Sequence, residues 1–313
     1  FPDVGVSYDT NGGSFDVDDP YDMYFVMPDG NINLKYTSSY IGDNSIWLNI
    51  YGVENTYILN FKKPYDVGQV VPSMVELDAG VVSGNAMFIA INPGTETGSL
   101  VLTVPEGITN LKTAIAIINI YSGSGGPRYA LYSNVTLNTN NGLEVLGYEK
   151  LFLDKEVAND PNVYGINDHT TKQYSDYQMV YDITGKVNNL KSGDTITINV
   201  ANSKYEDLLF DGRIKLISLF FAYDDGDEDN IAYWLNAGQL WTTETAGFDI
   251  KTKDYSGETY NMTLRTIALS SATASSYKIN NVESAPDETI SGGLTYKDLT
   301  WKDVGTNFNK GSN

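Results

Sequence analysis

Cysteine is absent from the 313 residues, which removes a disulfide framework, a thiolate zinc site, an iron–sulfur cluster and a thiol nucleophile together. Histidine is nearly absent. His169 stands alone, so a multi-histidine metal site is impossible and a Ser-His-Asp triad would have to use that one residue. No Gly-x-Ser-x-Gly elbow accompanies it. Basic residues are scarce, 20 against 40 acidic ones, and the net charge of -20 repels phosphate backbones and anionic lipid surfaces alike. No nucleic-acid partner is expected. Long apolar runs are missing too: Ala114–Tyr121 and Leu216–Tyr223 have strand length, well short of the roughly 20 residues a membrane helix needs, so this segment is expected to insert into no membrane. It opens at Phe1 without a leader, which reads as a mature or excised fragment with any anchor outside it.

What is present is period-two alternation. Ile196, Ile198 and Val200 alternate with Thr195, Thr197 and Asn199; Leu100, Leu102 and Val104 alternate with Ser99, Val101 and Thr103. Val135 and Leu137 do the same against Asn134, Thr136 and Asn138, the pattern of strands with one packed and one wet face. Ala114–Tyr121 and Ile214–Tyr223 are apolar on both faces and belong at the centre of a sheet. Turn chemistry punctuates the strands at Asn141-Gly142, Ser192-Gly193-Asp194 and Gly292-Gly293. The expected fold is all-β: a β-sandwich or jelly-roll-like main domain over residues 77–313, and a smaller N-terminal β-sandwich, immunoglobulin-like or a spacer, over residues 1–76. The smaller domain is expected to hold strands near Tyr21–Met27, Ile32–Tyr36, Ser45–Tyr51 and Thr56–Phe61. A short helix fits near Asn159–Tyr164 or Gly185–Asn189. The glycine-rich Ser122–Pro127 lacks a GK[ST] ending and reads as a hairpin loop.

From Gly80 onward the sequence resembles an uncharacterised domain of adhesin-like cell-surface proteins in methanogenic archaea. The resemblance rests on GVVSGNAMFIAINP at Gly80–Pro93, INIYSGSGGPRYALYSNVTLNTNNG at Ile118–Gly142 and SDYQMVYDIT at Ser175–Thr184. It continues through FDGRIKLISLFFAYDDGDEDNIAYWLNAG at Phe210–Gly238 and TLRTIALSS at Thr263–Ser271. It implies an extracellular, wall- or envelope-associated β-protein that contacts other cells or the surrounding matrix.

Four groups of residues invite function. Asp224, Asp225, Asp227, Glu228 and Asp229 crowd one loop, and calcium favours about six to eight oxygen ligands. The plainer reading of the same acids is solvated gatekeepers on a hairpin tip beside the sticky strand before them. A looser acidic group surrounds Pro20: Asp16, Asp18, Asp19 and Asp22. Tyr233, Trp234, Asn236 and Trp241 follow the acidic loop and offer rings and amides to a glycan, although Trp234 suits the core and Trp241 the surface. Asn134 and Asn261 head Asn-x-Thr sequons on the polar phase of their strands and are candidate glycosylation sites. Nothing selects a catalytic pair among the 40 acids.

The expectation is a cell-surface adhesin-like module without enzymatic activity, gripping glycans or proteins of partner cells. A structural envelope component that associates with its own copies is the alternative, and a carbohydrate-active enzyme or its binding domain the third.

Overall fold

A computed structural model describes residues 67–313 apart from 241–246, 248–250, 253–260, 270–275, 293–294 and 310; within residues 1–66 it describes backbone strands alone. The chain divides into two units, Phe1–Pro64 and Tyr65–Asn313. In the first, β1 (Val6–Thr10), β4 (Gly42–Ile50) and β5 (Val53–Phe61) form an antiparallel sheet in the order β1-β4-β5. A short ribbon pairs β2 (Gly13–Phe15) with β3 (Tyr36–Ser38). The strands anticipated at 45–51 and 56–61 are there. Those at 21–27 and most of 32–36, with the acids around Pro20, lie outside the described residues.

The second unit is layered. Its middle layer is a seven-stranded sheet built from β6 (Val70–Val71), β8 (Asn85–Ile91), β10 (Asn110–Tyr121), β13 (Val163–Gly165), β14 (Thr170–Gln173), β15 (Asp176–Asp182) and β17 (Arg213–Asp224). Their order is β6-β13-β14-β15-β10-β17-β8. On one side lies a four-stranded sheet, β12-β11-β16-β9, made of β9 (Thr97–Thr103), β11 (Leu131–Thr139), β12 (Gly142–Leu151) and β16 (Thr195–Lys204). On the other lies an antiparallel pair, β7 (Met74–Val82) with β18 (Ile231–Gly238). Residues 70–76 therefore pair inside the second unit.

This layering explains the doubly apolar runs. On β10, Ala114, Ala116, Ile118 and Ile120 face the four-stranded sheet and pack with Leu131, Val135, Ile196 and Ile198. Their neighbours Ile115 and Ile117 face the other way, against Phe220, Val82, Tyr233 and Leu235. Each isoleucine among these gains roughly 1.5–3 kcal/mol on leaving water, and a strand between two layers gains it on both faces. The four-stranded sheet has one layer to cover it, so its two central strands alternate: β11 runs buried, half-buried, buried, and β16 does the same through Val200.

The remaining chain forms β19 (Lys251–Thr252) paired with β25 (Gly311–Ser312), and a β20-β24-β23 sheet from β20 (Leu264–Ala268), β23 (Glu288–Ser291) and β24 (Lys297–Trp301). The β21 (Lys278–Ile279) and β22 (Val282–Glu283) ribbon closes Leu299, Trp301, Val304 and Phe308 into a third apolar cluster. Arg265 and Asp298 lock β20 to β24 through two hydrogen bonds of 2.9 and 2.6 Å.

Helix is confined to α1 (Thr184–Val187) and a 3-10 turn at Gly305–Asn307 among the described residues. The first falls at the Gly185–Asn189 position; Asn159–Tyr164 is loop and strand instead. Ser122–Pro127 is not a hairpin. It joins β10 of the middle sheet to β11 of the outer sheet, and β10 takes β15 and β17 as its neighbours.

Candidate functional site

The acidic loop also differs from the expected hairpin tip. β17 and β18 belong to different layers, so Asp225–Asn230 is a crossover, and it lies beside a second crossover, Ser83-Gly84, between β7 and β8. Asp224 joins the two. Its carboxylate accepts from the Ser83 amide (3.1 Å), Asn110 Nδ2 (3.2 Å) and Lys112 Nζ (3.1 Å). These donors, the Ser83 amide foremost, hold its pKa below the usual carboxylate value. Asp225 and Asp227 turn back on the loop, accepting from the Asp227 and Asp229 amides at 3.3 and 3.1 Å. Glu228 and Asp229 are exposed. Gly226, at φ +92°, takes the left-handed turn that a side chain rarely adopts. Among the described residues no three acidic or histidine side chains converge on a position that could hold a metal ion.

The aromatic block after this loop is packed rather than displayed. Tyr233 is buried, its ring 5.1 Å from that of Phe220 and its hydroxyl donated to Asp78 at 2.8 Å, so it offers no stacking face. Trp234 packs against the third apolar cluster. Asn236 is half-buried on β18. Trp241 lies outside the described residues. Asn261 is exposed in the segment before β20 rather than on the strand, and Asn134 is half-buried on β11, directly opposite Tyr148 of β12.

That register leads to an aromatic surface on the opposite side of the unit. β11 and β12 meet at a short turn before Gly142, and a bulge between Val135 and Thr136 leaves Leu146 without a partner. The bulge puts Leu143 and Val145 on the outward phase together with Tyr148 and Lys150. Tyr148 stacks on Tyr132 with centroids 5.3 Å apart and planes 16° apart, yet 63% of it remains exposed. Tyr132 in turn meets Tyr205 at 4.9 Å, and Tyr205 stacks on Phe152 at 6.0 Å. Lys150 Nζ stands 4.5 Å over the Tyr205 ring and 5.8 Å over Phe152, and its pKa is raised, first by its hydrogen bond to Tyr205.

Directly beneath this surface lies a polar cluster. Glu149, between Tyr148 and Lys150 on β12, points inward and is buried. It accepts from Asn167 Nδ2 (2.7 Å) and the Tyr181 hydroxyl (3.0 Å), and faces His169 Nε2 at 2.7 Å. His169 Nδ1 lies 2.5 Å from Asp168 on the other side of the ring. Burial opposes both charges, but the mutual hydrogen bond and charge outweigh it: Glu149 is held below, and His169 above, its ordinary value. A Cβ on Gly147 would overlap the Glu149 carboxylate and the Tyr181 hydroxyl. One more inward polar group departs from the pattern. Lys172 on β14 is fully buried, its Nζ has no hydrogen-bond partner and lies 4.8 Å from the Tyr177 ring, and burial lowers its pKa to about 8.

Sequence reasoning missed both the exposed rings and the Glu149 cluster. The Asn141-Gly142 turn signalled that the two strands pair, with Thr139 opposite Gly142; the bulge that then sets Tyr132 and Asn134 opposite Lys150 and Tyr148 left no sign in the sequence.

Comparison with solved structures gives a similarity to the structure of infectious bursal disease virus Gx strain. Identity is 10%, 77% of this chain and 59% of that chain are covered, and the TM-score is 0.20. The chain thus spans less than two thirds of that protein. No curated protein matches. Residues 73–313, most of the second unit, match the model described as protein of unknown function (DUF3344), and the chain belongs to that family.

Proposed function

We propose that this chain is a cell-surface binding module, an adhesin-like display scaffold that attaches to partner cells or extracellular glycans without chemically altering them. One observation carries the reading. The four-stranded sheet has a solvent-facing side on which a ring such as Tyr148, 63% exposed, is held by stacking rather than covered. Exposed Leu143 and Val145 share its phase of β12, and a contiguous exposed apolar patch marks an interaction site.

The arrangement around His169 supports a binding rather than a catalytic role. Both ring nitrogens are occupied by carboxylates, and the hydroxyl of the neighbouring Tyr181 donates to Glu149 and is made harder to ionise by burial. A general base needs a free nitrogen and a nucleophile within reach. An envelope location, an archaeal source and recognition of partner-cell surfaces extend the resemblance described above. Beads coated with residues 1–313 and offered to a panel of microbial cells, with uncoated beads as reference, test the reading. Attachment to at least one cell type supports it. Attachment to none, together with ordered self-assembly, would favour the envelope-component alternative.

A further inference from the structure

We propose that the outward face of β12-β11-β16-β9 is a platform for a neutral glycan, with Tyr148 as the stacking residue. This rests on reading the chain as a binding module and names its ligand class.

The first argument is charge. The chain carries 40 acidic residues. The register of the four strands puts Ser99 opposite Asn199, Asn199 opposite Thr136 and Asn134 opposite Tyr148, which fixes the outward phase of each strand. Along those phases no position is Asp or Glu, and the one cation is Lys150, already placed over two rings. Strand positions free of carboxylates, with Glu206 acting on Lys150 from the loop beyond β16, fit on a chain of net charge -20 a ligand that is itself uncharged. A polyanion would still meet the long-range repulsion of the whole molecule.

The second argument is chemistry. Serine, threonine and asparagine dominate the rest of this face, and some are joined across three strands. Ser99 Oγ donates to Asn199 Oδ1 at 2.6 Å, and Asn199 Nδ2 donates to Thr136 Oγ1 at 3.4 Å. Amides and hydroxyls both donate and accept, as sugar hydroxyls require. A pyranose also has an apolar C–H face, and the ring of Tyr148, backed by Tyr132, is preorganised to take it. Stacking at one end and a hydrogen-bonding track across the sheet match an extended oligosaccharide. Because the rings are already ordered, little conformational entropy remains to be lost on binding.

The test is titration calorimetry of the full chain against soluble hexasaccharides: β-1,4-glucan, β-1,3-glucan, mannan and xylan fragments, with polygalacturonate as an acidic polymer. At least one neutral hexasaccharide is expected to bind, with little dependence on salt. Tyr148→Ala should weaken it about tenfold or more without a change in melting temperature, and Tyr148→Phe should retain it. Four outcomes would each overturn the proposal: no neutral sugar bound, affinity unchanged in Tyr148→Ala, preference for polygalacturonate, or a concentration-dependent dimer that Tyr148→Ala dissolves. The bead assay separates this failure from that of the parent reading. Should wild-type and Tyr148→Ala beads attach to cells equally, the platform is wrong while adhesion stands.

Discussion

His169 and Glu149 meet at 2.7 Å across the gap between the two main sheets, the imidazole at the start of β14 and the carboxylate on β12. Asp168 closes on the other ring nitrogen at 2.5 Å. A neutral imidazole has one N–H and can satisfy one of these acids, whereas the imidazolium satisfies both. The geometry thus calls for the charged ring. The sign of the pH dependence follows. His169 has a raised folded pKa, so its contribution to stability is complete below about 6.5 and is lost as pH rises through the folded value. Glu149 has a lowered one, and its contribution disappears as pH falls through that value. Thermal melts between pH 6 and pH 8, below the range in which Lys172 titrates, should show the wild type losing stability as pH rises, and His169→Gln should lose much less.

Removing the carboxylate is expected to cost more than removing the ring. Glu149→Ala leaves Asn167, Tyr181 and His169 without their common acceptor in a buried site, a change of about 3 kcal/mol in urea unfolding. Gly147→Ala should fail in the same direction, since its methyl group would occupy the carboxylate's space.

Lys172 works against the fold. With its pKa lowered to about 8 by burial and its amine without a hydrogen bond, it destabilises the native state by up to about 3 kcal/mol at neutral pH. Lys172→Met should recover much of this. Its pH signature is opposite to that of His169: between pH 8 and the unfolded lysine value near 10.5, the unfolded chain holds the extra proton and stability rises with pH. Lys172→Met should abolish that rise.

Within the acidic loop the prediction separates neighbours. Asp224→Ala should lower stability measurably, because donors from the Ser83-Gly84 crossover and from β10 lose their acceptor. Glu228→Ala should change it by less than about 0.5 kcal/mol. Calcium added to chelator-treated protein tests the loop as a cation site: a raised melting temperature supports it, and an unchanged one removes it.

Much of the scaffold was legible in residue patterns. The doubly apolar phases of Ala114–Tyr121 and Ile214–Tyr223 marked the middle layer, because burial on both faces leaves no polar phase. Strict alternation in Val135–Asn138 and Ile196–Val200 marked the sheet with one wet side. Partner choice was not legible. Ser122–Pro127 and Asp225–Asn230 look like hairpin loops because turn residues report a change of direction, not the sheet to which the next strand goes. The contact surface was hidden for a related reason. Tyr233 and Trp234 stand together in sequence but point into two different apolar clusters, whereas Tyr132, Tyr148 and Tyr205 are scattered along the chain and joined by register.

Inhibition of attachment is the most direct measurement of whether this molecule holds cells through the wet face of its four-stranded sheet. Coated beads should lose their hold on the cells that capture them when the neutral hexasaccharide that binds the protein is added near its dissociation constant. Undiminished attachment at saturating sugar would contradict the account.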